Sequence, residues 1–522
     1  VRSTFHGLEV SKRGIFAQQS ALHVTGHNIA NANTEGYTRQ VANMRTSPAI
    51  PYTGMQMSKN PGLLGTGVDV ADILRLREDY LDMQFRGEQK HLGYWEARKD
   101  TLSKVEMVLN EPSDTGLQAT LDKFWTSWQD LAKEPEASSA RAVVLERAYA
   151  LTETLGAIRT GLVEHQRDMN SVIAIKTTEI NSITTQLRDI NDQIGRVEPH
   201  GYRANDLKDQ RDVLIDQLSR LVNVDAVQPV LFPDGRDTGM VRVMVGDVAI
   251  VDGRQRAEMT VAENEETGLF DVNLAGAPVR LNRGELQGLL ESRGISTLND
   301  PEDPESGYGV NGILPDVLRH LDILATEFAS HINEIHSTGL TLDDINNGRT
   351  LADGDKLMFF IDKDHYNQTG EYIQPRNAGS FMVHPHIQGS LDKIAAGREV
   401  IQADNTSSPS YEGDGRNASA IASIKFKIIA GLPETATFDD FYRNLIARIG
   451  VQATEADRLM NNSQVLADQV DNRRQSISGV SLDEEMANMI KFQHAYNASA
   501  RAITNIDGML DTIINRMGLV GR

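Results

Sequence analysis

Histidine is the side chain best suited to bind a metal or move a proton near neutral pH, and the sequence groups histidines in two informative places. The stretch HINEIH holds His331, Glu334 and His336. A helix-borne zinc site needs two imidazoles four residues apart with a glutamate between them, so that all share one face. His331 and His336 are five apart, and the expectation is ordinary histidines at a helix surface or end. VHPHI would set His384 and His386 on one side of an extended chain, half of a metal site, with no acidic or histidine partner identifiable. Asp353-Gly-Asp355 resembles a fragment of a calcium loop, yet the alternating ligands and closing glutamate are missing, so a turn is expected. There is no Gly-x-Ser-x-Gly elbow, phosphate-cradling glycine loop or dinucleotide fingerprint. No catalytic, cofactor or metal residue is assigned, and the chain is expected not to be an enzyme.

Composition narrows the partners. The chain has 522 residues, 40% of them hydrophobic, which suffices for several domains with real cores. Its 52 basic and 73 acidic residues leave a formal charge of −21, without a Lys/Arg block to track a phosphate backbone. Nucleic acid and anionic membrane are poor partners for such a surface. The absence of cysteine excludes disulfides, thiolate metal sites and thiol nucleophiles. VRSTFHGLEVSKRGIFAQQS has no continuous apolar segment, so any export is expected to run by a route other than a cleaved secretory signal, and membrane insertion is not expected.

The elements show a pattern at both ends. Leu8, Ile15, Leu22 and Ile29 recur every seven residues, as do Leu482, Met489, Tyr496, Ile503, Leu510 and Met517. Ser481, three residues before Glu484, resembles a capping box, and Gly479 marks a break. Seams this narrow bury too little to hold two isolated helices firmly, which points to helices that meet each other and then pack against other copies. Between them the chain reads as mostly helical to about residue 224. LDKFWTSWQDLAKEPEASSARAVVLERAYALTETL gives two helices, Pro135 starting the second, and 155–195 one long, mainly polar helix. NDLKDQRDVLIDQLSRLVNV places Leu207, Val213, Leu214, Leu218 and Leu221 on one face and charges on the other. From 225 short Val-rich runs are punctuated by Pro-Asp-Gly, Gly-Asp and Asp-Gly, as in hairpins. Helix returns at 283–293, 313–337 and about 438–475. The expected division is a terminal coiled-coil domain (1–40 with 479–522), a helical bundle (41–224, 283–340, 388–478), a β insertion (225–282) and an irregular outer segment (341–387).

NIANANTEGYTR, residues 28–39, ends the first helix: its asparagines compete for backbone hydrogen bonds, and Gly36 can take the positive φ of a reversal. Together with the preceding SALHVTGH, this stretch resembles the N-terminal signature of the bacterial flagellar axial proteins. SLDEEMANMIKFQHAYNASARAITNIDGMLDTIINRMG is similar to their closing helix. RANDLKDQRDVLIDQLSRLVNV, WQDLAKEPEASSARAVVL, RGELQGLLESRG, ASHINEIHSTGL and GDGRNASAIA resemble the hook-associated protein 1 family within that group.

The resemblance implies a mainly α, elongated multidomain axial protein with a β insertion placed outermost and its terminal helices paired in a coiled-coil-like domain. It implies a structural junction between hook and filament that self-assembles along the axis. Its implied partners are hook protein, a second hook-associated junction protein and a cytoplasmic export chaperone at the C-terminal helix, with export by the flagellar type III apparatus. Asn28, Ile29, Asn31, Asn33, Gly36 and Tyr37 match the shared motif and, with the two heptad series, are the candidate assembly interface. The alternatives are another axial protein, such as the second junction protein or a flagellin, or a secreted enzyme with a catalytic insert around His384 and His386.

Overall fold

The computed structural model describes residues 5–49, 65–265, 267–297, 309–352, 354, 356–401, 407–408, 410–433 and 435–516. Helix α1 (His6–Ala30) ends in a turn, and the chain then forms an antiparallel ribbon of β1 (Gln40–Thr46) and β2 (Val68–Arg75). The sequence pattern reads Tyr37-Thr-Arg-Gln-Val41 as extended chain but suggests helix for the rest of this stretch. β-branched Val41, Val68, Val70 and Ile73 instead favour the extended chain. Four helices follow: α2 (Asp79–Leu109), α3 (Leu117–Lys133), α4 (Ser138–Val197) and α5 (Asn205–Leu221). The second helix expected after Pro135 and the long polar one are a single element, α4, of 60 residues, about 90 Å at 1.5 Å per residue. Gly156 and Gly161 do not interrupt it. The buried series Val144, Ala148, Leu151, Leu155, Ile158 and Leu162 passes straight through them at helical spacing.

The hairpin region forms two antiparallel sheets, β3 (Val224–Leu231), β4 (Asp237–Val245), β5 (Val248–Asp252) and β6 (Gln255–Arg256) in one, and β7 (Met259–Glu263), β8 (Phe270–Leu274) and β9 (Ala277–Pro278) in the other. They are layered on α4 and share its core: Val243, Ile250, Val251, Met259 and Leu274 belong to the same buried cluster as Ile173, Ile180 and Leu187. The polar stripe of α4 faces these strands. Asn181 pairs with both backbone groups of Met259, donating to its carbonyl at 2.6 Å and accepting from its N–H at 3.0 Å. Asn191 does the same with Val241 and also donates to the Gly253 carbonyl. Polarity that reads as solvent-facing is thus a rail for strand edges.

After α6 (Glu285–Arg293) and the β10 (Ile295–Thr297)/β11 (Gly309–Asn311) pair, α7 (Ile313–Ser337) leads into an excursion of short elements: α8 (Leu342–Asn346), β12 (Phe360–Asp362), α9 (Lys363–Thr369), β13 (Phe381–Val383) and α10 (Pro385–Gly389). Irregular in sequence pattern, this stretch carries the heart of an aromatic core. Phe359, Phe360 and Phe381 pack with Phe124, Trp128 and Phe328. The chain closes through α11 (Arg416–Ser423), α12 (Phe438–Ser478) and α13 (Leu482–Asp511). Ion pairs of Lys99 with Asp457 and of Asp82 with Arg474 show that α12 runs antiparallel along α2. Among the described residues no helix is long and apolar enough to cross a membrane.

Candidate assembly interface

The two chain ends lie against each other. A Cβ added to Gly7 would meet Ile506 at 3.1 Å, one added to Gly14 would meet Ser499 at 3.1 Å, and Asn28 donates to Glu485. In each pair the residue numbers sum to the same value, so α1 and α13 are antiparallel in a constant register. The contact line on α1 is therefore Gly7, Gly14, Ala21 and Asn28, with Ala17 and Val24 beside it. Small residues let the backbones approach closely. Leu8, Ile15, Leu22 and Ile29 stand one position further along and are half-buried, as are Met489, Tyr496, Ile503 and Leu510 on α13, while Leu482 is exposed. Met517 lies outside the described residues.

The remaining faces are open. Along the 30 residues of α13 only Glu485 is buried, and Met486, Ile490 and Met509 are each more than half exposed, as is Phe16 on α1. A helix normally buries a continuous apolar stripe, and this pair leaves much of its apolar surface uncovered.

Its base is built differently, around Asn28. The buried Asn28 amide donates to the Gln40 carbonyl at 2.9 Å and to Glu485 Oε2 at 3.0 Å, and accepts from the Gln40 N–H at 3.0 Å and the Tyr37 hydroxyl at 2.8 Å. All four hydrogen-bonding positions of the amide are filled. Glu485, also buried, takes Arg39 Nε at 2.8 Å, and Arg39 Nη1 reaches Glu484 at 2.7 Å. The expected capping box is half made: Ser481 accepts from the Glu484 N–H, but the Glu484 carboxylate is engaged with Arg39. Asn31 bonds the His27 carbonyl and accepts from Thr34, closing the turn, and Asn33 is exposed. Gly36 has φ +74°, and a Cβ there would fall 2.1 Å from Val213 Cγ2, so the motif's glycine is demanded both by conformation and by close approach to α5. Burial, reinforced by Asp206, Asp209 and Glu485, raises the Tyr37 phenol well above its usual range and keeps it a donor.

The motif continues into an ion-pair ladder that the sequence pattern misses. The charged face of α5, expected in solvent, buries Asp209, Arg211 and Asp212. Arg75 bridges Asp209 at 2.7 Å and Asp212 at 2.9 Å, Arg77 binds Asp82 and Asp212, Arg86 binds Asp216, and Arg474 of α12 joins Asp216, Asp82 and Asp471. Burial alone would raise the Asp212 carboxyl, but Arg77, Arg211, Arg75 and Arg86 outweigh it and hold it down at about 2. The Thr38 N–H donates to Asp209 at 3.0 Å and the Gln40 side chain to Asp206 at 2.8 Å, which ties this ladder to the Asn28 hub. The signal available in the sequence is the i, i+3, i+7 spacing of Asp209, Asp212 and Asp216, which puts three carboxylates on one helix face. A cleft of about 880 Å³ beside Phe85, Asp471 and Arg474 and another of about 510 Å³ beside Gln186 and Leu214 flank the 31–38 turn.

The histidine candidates lie elsewhere and separately. His331 is half-buried on α7 near Glu327 and Glu334. His336, expected at a helix surface or end, is fully enclosed, with Nδ1 at 2.8 Å from the Leu357 carbonyl and Nε2 accepting from the Ala395 N–H at 3.0 Å. His384 and His386 are not extended, because Pro385 starts α10: His384 is buried and caps that helix by accepting the His386 N–H. Asp353 and Asp355 lie outside the described residues. Among the described residues no three His, Cys, Asp or Glu side chains stand together as a metal ion requires.

Comparison with known proteins converges on the same ends and middle. Residues 102–351 match the flagellar hook-associated protein FlgK helical domain, residues 473–517 the flagellar basal body rod FlgEFG protein C-terminal family, and residues 8–38 the flagella basal body rod protein family. Flagellar hook-associated protein 1 of Bacillus subtilis (strain 168) is 34% identical over 540 residues, covering 100% of both chains. The proteins of that name from Salmonella typhimurium and Escherichia coli K12 are 24% and 25% identical, each over 96% of this chain and 98% of their own. The flagellar hook junction protein FlgK from Burkholderia pseudomallei shares the fold, with a TM-score of 0.56 at 15% identity over 76% of this chain and 100% of its own.

Proposed function

The chain belongs to the flagellar hook-associated protein 1 family, and from that premise we propose that the open faces of its terminal helix pair are the surfaces by which it assembles along the flagellar axis. It is a structural protein of the junction between hook and filament, with hook protein at one rim and the second hook-associated junction protein at the other. The observation that carries this reading is the exposure of Phe16 on α1 and of Met486, Ile490 and Met509 on α13, a helix that buries Glu485 alone. Copies packed around an axis cover those faces, and the Asn28 hub fixes the angle at which each pair leaves its helical domain. Before assembly the C-terminal heptad series of Leu482, Met489, Tyr496, Ile503, Leu510 and Met517 is bound by an export chaperone. Export then runs through the flagellar type III apparatus with the N-terminus intact.

The test uses Phe16→Asp and Ile490→Asp, both at exposed positions. The monomer should keep its circular dichroism and melting temperature, while incorporation at hook ends falls at least tenfold. Deleting the last 35 residues should abolish incorporation and leave the central helices folded. Normal incorporation of the two aspartate variants would sink the proposal.

A further inference from the structure

We propose that the excursion between Leu340 and Gly397 is an acid-labile clasp, held shut by neutral His336 and released when that imidazole takes up a proton. The excursion begins and ends at one point, where Leu340 and Gly397 exchange backbone hydrogen bonds of 2.8 and 3.1 Å. Two side chains of α7, one helical turn apart, hold its interior. Asn333 accepts from the N–H groups of Phe359 and Phe360 and donates to the Phe360 carbonyl at 2.7 Å and to Gln374 at 2.8 Å. His336 joins the Leu357 carbonyl to the Ala395 N–H, 38 residues further along, an arrangement open only to the tautomer with hydrogen on Nδ1 and a lone pair on Nε2. A proton on Nε2 sets one donor against another.

The surroundings give the imidazolium no relief. Trp128 of α3 and Phe359 meet the ring edge-on, at 6.5 and 5.2 Å between centroids. The charged or titratable groups facing it are Arg141 of α4 and His384. Arg141 is itself buried, bonded to the carbonyls of Pro135, Leu391 and Ile394, so the second tie to the same end of the excursion is already a cation. His384 also works as a neutral acceptor, capping α10, with its ring 4.2 Å from that of Tyr372. Burial holds both imidazoles down to about 4, from an ordinary 6.5. The sign follows: the unfolded or open segment binds the proton more readily, so the clasp is fully stable above about pH 6.5 and weakens as pH falls toward 4.

For His336 alone the opening equilibrium rises about 20-fold between pH 7 and pH 5. Hydrogen exchange on the full chain, corrected for intrinsic rates, should show that rise in peptides covering 357–362 and 380–396, with α2, α4 and α12 still protected. Trp128, against the ring, should change its fluorescence over the same range. His336→Gln, which keeps an uncharged acceptor, should remove that factor and leave only the share of His384, which His384→Gln then removes. A rise below about threefold, an equal rise in His336→Gln, or simultaneous loss of protection in α4 and α12 overturns the proposal. Should His336→Gln fail to fold, exchange at the imidazole C2–H of the unaltered protein decides: an ordinary His336 titration with the segment still protected refutes the clasp.

Discussion

Replacing Asn28 by aspartate changes one NH₂ group into an oxygen and almost nothing in shape. The Gln40 N–H and Tyr37 hydroxyl keep their acceptor, whereas the Gln40 carbonyl and Glu485 Oε2, at 2.9 and 3.0 Å, lose their donors. One neutral hydrogen bond is worth about 1 kcal/mol and one to a carboxylate about 1.5–3 kcal/mol. Two like charges about 3 Å apart at an effective dielectric of about 20 would repel by roughly 5 kcal/mol, which Arg39 offsets in part and proton uptake by the new carboxyl limits. The expected penalty to docking of the terminal pair is about 3–4 kcal/mol at pH 8. A carboxyl raised in the folded state has its stability present at low pH and loses it as pH rises through the folded value. The gap from the unaltered protein should therefore shrink to about 1–2 kcal/mol at pH 5, where the introduced carboxyl, once protonated, donates again to Glu485. Amide exchange at Gln40 and in the first turns of α13 reads that docking directly. A pH-independent gap, or a variant as well protected at pH 8 as the unaltered chain, would refute the role given to the amide.

Two further substitutions separate conformation from contact. Gly36→Ala adds a Cβ at φ +74° only 2.1 Å from Val213 and should cost about 2–3 kcal/mol locally, seen as faster proteolysis in residues 31–38; adding Val213→Ala should recover the steric share only. Asn191→Leu strands the Val241 N–H and the Gly253 carbonyl in a buried site, while the Val241 carbonyl keeps only the Gly253 N–H, and should lower urea stability by about 2–4 kcal/mol.

What the sequence made legible depended on whether apolar periodicity governed the element. α7 at 313–337, α12 and α13 with the break at Gly479, and the β region after 224 follow from apolar spacing and turn residues. The misses among buried polar residues share one cause. Pattern reading sends polar residues to solvent, and here they are buried because each has a partner far away in the chain: Asp212 with Arg75, Asn28 with Glu485, Arg141 with the Ile394 carbonyl. Beyond the shared helix face of the α5 carboxylates, nothing local distinguishes such a residue from a solvated one. The heptad readings of the ends identify the right helices, but large side chains draw attention one position away from Gly7 and Gly14, whose value lies in what they leave out.

One device recurs at four places where a helix of this protein meets a strand. Asn28 with Gln40, Asn181 with Met259, Asn191 with Val241 and Asn333 with Phe360 each pair a side-chain amide with the N–H and C=O of a single residue. A helix has spent its own backbone groups internally and cannot extend a sheet, but an asparagine carries the same donor and acceptor as a peptide and substitutes for the missing strand. At Asn181, Asn191 and Asn333 the result is local attachment. At Asn28 the second donor and second lone pair go on to Glu485 and Tyr37, so one amide fixes α1, the first strand and the start of α13 together. Beyond that point α13 is held by little more than a glycine-lined seam, which sets its register while leaving its apolar faces uncovered. On the function proposed above, a rigid base with an unfinished shaft fits an axial subunit: the base would transmit the orientation of the helical domain, and neighbouring copies would complete the shaft.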